Sequence, residues 1–290
     1  MANNIFKENP SAISEMNTRV ITNFSKLKVS FFLLPLFFIL TIVLLVYSQG
    51  PFSIDNYVQI QKSAFLFINA KLSQFPNIIY NLTQLGDAMI LLSLLTIFII
   101  YAPKLWEALL SASLVSALFS NVLKKIFAVP RPAALFDNSS FTIIGKTLTG
   151  HNSLPSGHSI TVFTILTVLL YAFMPKKWSA KLAWTLGIIA IGLLLVLTRV
   201  GVGAHYPLDV ISGSIFGYIS GLSGIFISNK YKLWYWINYK KYYPIFILLF
   251  VICCCVLISK INKENLIIFY LSLISFVVSL YKIITVYVKK

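Results

Sequence analysis

The feature that most constrains this chain is a series of long apolar runs that carry almost no charge. Eight of these runs are long enough to cross, or nearly cross, a bilayer, and they cover approximately residues 29–48, 88–102, 105–124, 159–174, 182–199, 207–228, 244–259 and 265–288. A transmembrane helix needs about 20 mainly apolar residues, so the shorter runs must extend into their polar flanks. Only Pro103 and Lys104 separate the second run from the third, which predicts a tight helical hairpin.

The apolar runs are continuous rather than alternating, which favours helices over a transmembrane barrel. Of the 290 residues, 58% are hydrophobic and only 11% are charged, whereas a soluble domain carries about 25% charged residues. A water-soluble fold cannot hide this much apolar surface. The sequence therefore predicts an all-α polytopic membrane bundle of about eight helices, in which a tail at 1–28 precedes a six-helix core at 29–228 and a further helix pair occupies 229–290.

The chain has a net charge of +16. Its Lys and Arg residues lie mainly between the apolar runs. In a soluble protein this charge would suggest nucleic acid, but here membrane topology and anionic lipid headgroups account for it. With the N-terminus in the cytoplasm, fourteen of the 24 Lys and Arg residues fall inside and nine outside, and Lys282 lies within the last helix. The bias predicts a cytoplasmic N-terminus and places the long loops 49–87 and 125–158 outside, and it depends on a count of eight helices.

Two amphipathic stretches leave alternatives open. Residues 57–72 place apolar side chains at helical spacing, which is typical either of a helix lying on the outer interface or of a lid packed on the bundle. Near the N-terminus, Ile13, Met16, Val20 and Phe24 predict an interfacial helix, and a disordered tail is the alternative. The three consecutive cysteines, Cys253 to Cys255, are interpreted as packing residues within an apolar run rather than as a disulfide or a zinc site.

Polar residues gather at the predicted outer ends of the helices. They end the third run, open the fourth, end the fifth and open the sixth, and they comprise Lys124, Arg131-Pro132, Pro155-Ser156-Gly157-His158, Thr198-Arg199, His205 and Asp209. Three cations beside two histidines call for an anion, and phosphate oxygens match both the planar fork of Arg and the point charge of Lys. A helix that starts at Ser156-Gly157 adds free backbone N–H groups and the positive end of its dipole.

The two histidines divide the chemistry that such an anion site permits. His205 and Asp209 are four residues apart on one helix face, so the carboxylate can fix the tautomer of the imidazole and make its other nitrogen a better nucleophile. His158 lies beside the N–H groups at the start of the helix at Ser156-Gly157, which we call the anion cradle. It is placed to protonate a departing oxygen. The expected course is attack by His205 on phosphorus, a phosphohistidine intermediate, and hydrolysis with His158 as base. No carboxylate cluster for Mg²⁺ is visible, so we expect neither a metal nor a cofactor, and the cations stabilise the charge instead.

These residues resemble the three-part signature of the type 2 phosphatidic acid phosphatase superfamily. The parts are Lys124-x6-Arg131-Pro132, Pro155-Ser156-Gly157-His158 and Arg199-x5-His205-x3-Asp209, and the resemblance covers roughly residues 80–228. It implies metal-independent hydrolysis of a phosphate ester or anhydride through a phosphohistidine. It assigns His205 as nucleophile, His158 as acid and base and Asp209 as orienting carboxylate, and it places around the phosphate Lys124, Arg131, Ser156, Gly157 and Arg199.

The sequence departs from the family pattern at one position, where Thr198 replaces the usual Ser before Arg199. The last helix pair also exceeds the six-helix core, and its role is open.

Taken singly, Lys124 could be a snorkelling anchor and Ser156 an ordinary helix cap, and only their coincidence with the other residues predicts a site. His151 is interpreted as a loop residue and Asp87 as a charge favourable to a helix N-terminus.

The leading hypothesis is a lipid phosphatase of a bacterial inner membrane whose site faces the periplasm. Its candidate substrates are undecaprenyl diphosphate, a lipid A phosphate, phosphatidylglycerol phosphate and phosphatidic acid, with a preference for the first two because the site faces outward and the outer loops are basic. One alternative is a phosphotransferase that passes the phosphoryl group to a lipid or sugar hydroxyl. Another is a phosphate-binding transporter, against which no inverted repeat is visible. The oligomeric state is open.

Overall fold

The computed structural model describes residues 15–289, and within that range it contains helices and connecting segments without a β-strand. The α-helices are α1 Glu15–Phe24, α2 Leu33–Ser48, α3 Ile54–Leu72, α4 Pro76–Thr83, α5 Ala88–Ser93, α6 Phe98–Tyr101, α7 Pro103–Phe127, α8 Pro132–Leu135, α9 Gly157–Ala172, α10 Trp178–Gly201, α11 Pro207–Tyr231, α12 Tyr243–Lys263 and α13 Ile267–Val288. The prediction of an all-helical fold is confirmed. The N-terminal part of the predicted tail, including Ile13, lies outside the described residues.

Six segments in the described range are long and apolar enough to cross a membrane. They are Val29–Ser48, Pro103–Leu135, Trp178–Gly201, Pro207–Tyr231, Lys240–Lys263 and Ile267–Val288. The fourth predicted run forms the shorter apolar helix Gly157–Ala172. Seven of the eight predicted runs therefore correspond to apolar helices, and this is a multi-pass membrane protein.

The prediction of a single helix over the second run, 88–102, is wrong. The chain there forms two short helices, α5 and α6, joined by turns at 94–97. Hydroxyl and indole groups explain the break, because the Ser93 carbonyl accepts a hydrogen bond from Ser275 Oγ at 2.8 Å and the Leu95 carbonyl accepts one from Trp106 Nε1 at 3.0 Å. With these carbonyls satisfied by side chains, the backbone can leave the α-helix inside an apolar bundle. The predicted orientation depends on a count of eight helices, and six segments are long and apolar enough to span by themselves, so the cytoplasmic N-terminus stays a prediction.

The centre of the bundle is α11, which packs closely against α9 and α7. Glycines on α11 permit the approach, since a Cβ on Gly217 would lie 2.5 Å from the carbonyl oxygen of Ile160 on α9. A Cβ on Gly224 would lie 2.4 Å from the backbone nitrogen of Ala112 on α7. Small residues commonly let membrane helices approach in this way. The close packing fixes the C-terminal end of α7 and the N-terminal ends of α9 and α11 relative to one another, and those ends carry the site.

Both amphipathic stretches form helices that pack on the bundle. On α3 the buried face repeats at helical spacing through Tyr57, Val58, Gln61, Phe65 and Asn69. Its polar members hold neighbouring helix ends, because Gln61 Oε1 accepts from the Leu208 amide at 2.9 Å and Asn69 Nδ2 donates to the Gly201 carbonyl at 3.0 Å. The packing favours the lid over a helix lying on the interface.

At the other end of the bundle, α1 packs against α7 and α9 through Asn17, Val20 and Phe24, all of which are buried. The structure therefore favours a docked helix over a disordered tail for this stretch. The three cysteines lie within α12 as free thiols, as the sequence indicates.

Candidate active site

The centre of the candidate site is the pair His205 and Asp209, which the structure buries almost completely, with exposed fractions of 1% and 0%. His205 Nδ1 lies 3.5 Å from Asp209 Oδ2. His205 precedes α11 and Asp209 lies in its first turn, so the spacing of four residues does bring the two side chains together. The short turn before His205 folds back on α10, with the amide of His205 donating to the Arg199 carbonyl at 3.3 Å.

Three donors saturate the Asp209 carboxylate. Tyr57 donates to Oδ1 at 2.7 Å, Ser153 donates to Oδ2 at 2.5 Å, and the Tyr206 amide donates to Oδ2 at 3.0 Å. Burial, and then the charge of Asp209, raise the pKa of the Tyr57 phenol well above its usual value, which keeps the phenol a donor. A buried carboxylate needs such partners to remain charged. The carboxylate is therefore fixed in position before any ligand arrives.

Arg131 sets the tautomer of His205. Its Nη1 lies 3.4 Å from His205 Nε2 and 3.3 Å from the Ala204 carbonyl, and its Nε donates to Asn152 Oδ1 at 2.7 Å. A guanidinium only donates hydrogen bonds, so Nε2 must accept and the ring proton belongs on Nδ1, facing Asp209. The lone pair of Nε2 consequently points toward the cationic side of the site.

Backbone hydrogen bonds hold the loop that carries Arg131. The Arg131 amide donates to the Gly150 carbonyl at 3.0 Å, and the Ser153 amide donates to the Val129 carbonyl at 2.9 Å. These two bonds join the start of the outer loop 125–158 to its end. The pairing explains how Arg131 and Ser153, which are far apart in sequence, reach the same imidazole.

The other two predicted cations also lie at the site. Arg199 is buried, with Nη1 donating to Thr83 Oγ1 at 2.8 Å, while its buried Nε has no hydrogen-bond acceptor in the described part of the chain. Lys124 Nζ lies only 3.2 Å from the position that a Cβ on Gly157 would occupy. An unpaired buried guanidinium N–H is costly, and a ligand with free oxygens would satisfy it. The absence of a side chain at Gly157 leaves room for the lysine.

The N-terminus of α9 supplies fewer free amides than the sequence predicts. The Ser156 amide donates to the Asp209 carbonyl at 3.0 Å, and Ser156 Oγ caps the helix by accepting from the Ser159 amide at 3.4 Å. Among the described residues, the amides of Gly157 and His158 have no acceptor. The anion cradle is therefore reduced to these two amides at the positive end of the helix, and Ser156 contributes by joining α9 to α11.

His158 lies close to the same charges, on the other side of the cradle. Lys124, Arg131, Arg199 and His205 all act electrostatically on its imidazole. Its ring packs against Gly86, where an added Cβ would come within 2.4 Å of the ring carbon Cδ2. Gly86 thus leaves the space in which the imidazole of His158 lies.

The surroundings of His205 keep its imidazole neutral. Burial lowers its pKa well below the usual value, and the positive charges of Arg131, Arg199 and Lys124 lower it further. A neutral imidazole with its proton on Nδ1 carries a free lone pair on Nε2 at neutral pH. An incoming anion would be attracted by the three cations that disfavour protonation of the ring.

The structure brings together all eight residues that the sequence proposed for the site, and it adds four that sequence reasoning missed. Tyr57, Thr83, Gly86 and Ser153 contact the site residues directly. Periodicity placed Tyr57 on a buried face but gave no sign of a carboxylate partner. His151 is exposed in the loop, and Asp87 caps α5 by accepting from the Met89 amide at 2.9 Å.

Two open spaces lie beside the site, and the second is lined by Gly157 and His158. An apolar groove of about 300 Å³ is lined by residues of α2, by Tyr57, and by Leu154, Ile215 and Phe216. A more polar cavity of about 420 Å³ lies beside His158 and is lined by Ser116, Ser120, Asn121, Thr161 and Thr164, among others. No group of three or more His, Cys, Asp or Glu side chains able to hold a metal ion occurs among residues 15–289.

Comparison with known proteins relates this geometry to a family. Residues 104–232 match the model of the PAP2 superfamily, and this range contains every site residue that the sequence proposed. The lipid A 1-phosphatase of Rhizobium etli is 34% identical over 121 residues, which are 41% of this chain and 48% of the relative. The undecaprenyl-diphosphatase of Sulfolobus acidocaldarius is 36% identical over 121 residues, which are 41% of this chain and 54% of that relative.

One solved structure is also similar. The crystal structure of Aquifex aeolicus LpxE aligns with a TM-score of 0.47 and 27% identity, over 57% of this chain and 94% of that one. The chain spans about half the length of the curated relatives it matches. The matched range holds the complete three-part motif in order, on the helix ends where the side chains meet. Residues 104–232, which carry the candidate site, are therefore similar to the PAP2 superfamily.

Proposed function

We propose that this chain is a membrane phosphatase that removes phosphate from a lipid by way of a phosphohistidine on His205. The observation that carries the proposal is the buried pair of His205 and Asp209, in which the carboxylate faces Nδ1 at 3.5 Å and Arg131 faces Nε2 at 3.4 Å. An imidazole held in one tautomer, with its free nitrogen directed toward cations, is suited to attack an anionic phosphorus centre.

In the first step His205 Nε2 forms a bond to phosphorus and the bond from phosphorus to the ester or anhydride oxygen breaks. The departing oxygen takes a proton from His158, which must be an imidazolium when the substrate is bound; the negative charge of the phosphate favours that form beside the three cations. Lys124, Arg131 and Arg199, with the Gly157 and His158 amides, stabilise the negative charge on the remaining phosphate oxygens. The unpaired Nε of Arg199 is one donor that a phosphate oxygen would satisfy.

In the second step a water molecule attacks the phosphohistidine. His158, which lost its proton in the first step, accepts a proton from that water as the P–N bond breaks. Inorganic phosphate leaves and His205 returns to its neutral form, with its proton on Nδ1 beside Asp209. The cycle needs no external acid, base or metal.

The apolar groove supports a lipid as the substrate. It runs from the bilayer-facing side chains of α2, such as Ile39 and Val43, to Tyr57, which bonds to the Asp209 carboxylate. A hydrocarbon chain could lie in this groove in an apolar setting, which would hold a lipid next to the site. The family relatives are named for lipid substrates, which agrees with this arrangement.

The polar cavity beside His158 favours a particular kind of leaving group. His158 protonates the departing oxygen, so the remainder of the substrate on that side lies against the hydroxyl and amide groups of Ser116, Ser120, Asn121 and Thr161. These groups suit a sugar with several hydroxyls better than a bare alkyl chain. Among the four candidate lipids, the observation favours a lipid A phosphate over undecaprenyl diphosphate, phosphatidylglycerol phosphate and phosphatidic acid.

The experiment is a panel of those four lipids incubated with the purified protein in EDTA, with inorganic phosphate measured. We expect phosphate release that survives the chelator and is fastest with the lipid A phosphate. Transfer of the phosphoryl group to a lipid or sugar hydroxyl, without free phosphate, would replace the phosphatase with a phosphotransferase. Loss of all activity in EDTA, restored by a divalent metal, would overturn the mechanism.

We further propose that the site faces the periplasm of an inner membrane and that the N-terminus is cytoplasmic. His151 is exposed in the loop beside the site, so His151→Cys provides a label position next to it. A membrane-impermeant maleimide should label this variant in cells whose outer membrane has been made permeable. Labelling that requires rupture of the inner membrane would reverse the orientation.

A further inference from the structure

The segment 80–87, which we call the bridge segment, comprises the last turn of α4 and the connection to α5, and it contacts the site on one of its sides. Thr83 is buried, and its Oγ1 accepts the 2.8 Å hydrogen bond from Arg199. Gly86 provides the surface against which the imidazole of His158 packs. Both groups on the cationic side of the site therefore depend on where this segment lies, although it precedes the range that matches the family.

On its other side the bridge segment contacts the end of α12, the turn that follows and the start of α13. Lys260 Nζ lies 3.1 Å from Asp87 Oδ2, and the Ile268 amide donates to Asn81 Oδ1 at 3.2 Å. The phenol of Tyr80 interacts with the carboxylate of Glu264. Three successive parts of the C-terminal helix pair thus bind three positions of one short segment.

Further along, α13 fixes the interrupted helix that follows the bridge segment. Ser275 Oγ donates to the Ser93 carbonyl, and the hydroxyls of Ser279 and Thr96 lie 2.7 Å apart. Neither α4, with eight residues, nor α5, with six, is long enough to be stable as an isolated helix. Tertiary contacts must hold this region in place, and α12 and α13 supply many of them.

We propose that the C-terminal helix pair is a positioning device for the active site, acting through the bridge segment on Arg199 and His158. The proposal rests on the proposed function of that site and gives a role to residues 233–290, which lie outside the family match. Lys260 and Glu264 are positioning residues in this scheme, because they line neither the site nor the polar cavity, whereas Asp87 also borders the cavity beside His158. In this scheme the helix pair holds the bridge segment against the acid side of the site, whereas α9 carries His158 itself and the contact of α9 with α11 fixes the nucleophile side.

Lys260→Met tests the proposal, because it removes the charge and keeps the aliphatic chain over Phe269. With the best lipid of the panel, we expect kcat to fall about fivefold while KM changes less than twofold. Lys260→Arg should restore most of the rate. Lys263→Met is the matched control, since Lys263 is exposed in the same last turn of α12, and it should behave as the wild type.

A double variant separates positioning from a general structural role. Thr83→Val cuts the other link of the bridge segment, so Thr83→Val combined with Lys260→Met should lower kcat by less than the product of the two single effects. Multiplying effects, or a wild-type rate in Lys260→Met, would overturn the proposal. If Lys260→Met unfolds, Glu264→Gln takes its place in the same cycle. A wild-type protein that releases no phosphate would instead contradict the proposed function itself.

Discussion

His205 and His158 lie at opposite sides of one site, and their surroundings differ in a way that matches their proposed roles. His205 is sealed, with Asp209 and Ser153 facing one ring nitrogen and Arg131 facing the other. His158 is partly exposed and borders a polar cavity, with Gly86 against its ring. The first imidazole is fixed by hydrogen bonds, whereas the second is fixed mainly by packing.

The difference reflects what each group must do. A nucleophile must present one lone pair in one direction, so a rigid network of buried hydrogen bonds suits it. An acid that later becomes a base must exchange its proton with a leaving group and with water, so it needs access to an open cavity. Variants that change one side of the site and leave the other unchanged test whether the two histidines have these different roles.

The largest effect should come from removing the nucleophile. His205→Asn should lower phosphate release by about 10⁴-fold or more, because no other group can form the covalent intermediate. His158→Asn should lower turnover of a lipid phosphate by about 10²–10⁴-fold. With 4-nitrophenyl phosphate, whose leaving group needs no proton, His158→Asn should still release one equivalent of nitrophenol in a burst.

His151→Asn serves as the control for both, because His151 is exposed and should tolerate the change. A burst from His205→Asn would contradict the assignment of nucleophile and acid. Rapid quenching of the His158→Asn reaction should also trap an acid-labile phosphohistidine at position 205.

The second effect should come from Asp209→Asn. The amide group would turn its N–H toward His205, which favours the tautomer with its proton on Nε2 and removes the attacking lone pair. We expect kcat/KM to fall by up to about 10⁴-fold, the loss seen when the orienting carboxylate of a Ser-His-Asp triad is replaced by an amide. Asp137→Asn, in the exposed part of the outer loop, should leave the rate unchanged. An equal loss in the two variants would show that the charge alone, rather than the tautomer, matters.

The two sides of the site also differ in how far the sequence could predict them. The spacing of four residues placed Asp209 beside His205 correctly, although His205 lies in the bend before α11 and only Asp209 lies in the first turn of the helix. Tyr57 is 152 residues away from Asp209 in the chain, so only the packing of α3 on α11 reveals that contact. Apolar periodicity identifies a buried face but carries no information about which hydroxyl meets which carboxylate.

The same limit explains why the sequence did not predict the structure of the region beside His158. Hydropathy found an apolar run at 88–102 but could not show that Ser275 and Trp106 would satisfy its carbonyls and break the helix. Bounds of the other long helices could be predicted to within a few residues, since apolar length sets them. The contacts of Thr83 and Gly86 with the site follow from that broken region and were equally out of reach.

A smaller effect should come from Tyr57→Phe, which tests how firmly Asp209 is held on the nucleophile side of the site. The change leaves Asp209 Oδ1 buried without its 2.7 Å donor, and a hydrogen bond to a charged group contributes roughly 1.5–3 kcal/mol. We expect kcat to fall about tenfold with little change in KM, because the carboxylate remains but is less firmly held. Tyr47→Phe, exposed on α2, is the matched control. A wild-type rate in Tyr57→Phe would mean that Ser153 and the Tyr206 amide suffice to orient Asp209.

The smallest expected effect is a dependence of stability on pH that belongs to His205. Its pKa is lower in the folded protein than in the unfolded chain, so the stability it contributes is complete above about pH 6.5 and is lost as the pH falls toward the folded value. Each pH unit over which only the unfolded chain binds the proton costs about 1.4 kcal/mol. Between pH 7.5 and 5.0, the melting temperature in detergent should therefore fall a few degrees further in the wild type than in His205→Asn. His151→Asn should follow the wild type, and equal slopes in all three proteins would show that the imidazole of His205 is not held neutral by its surroundings.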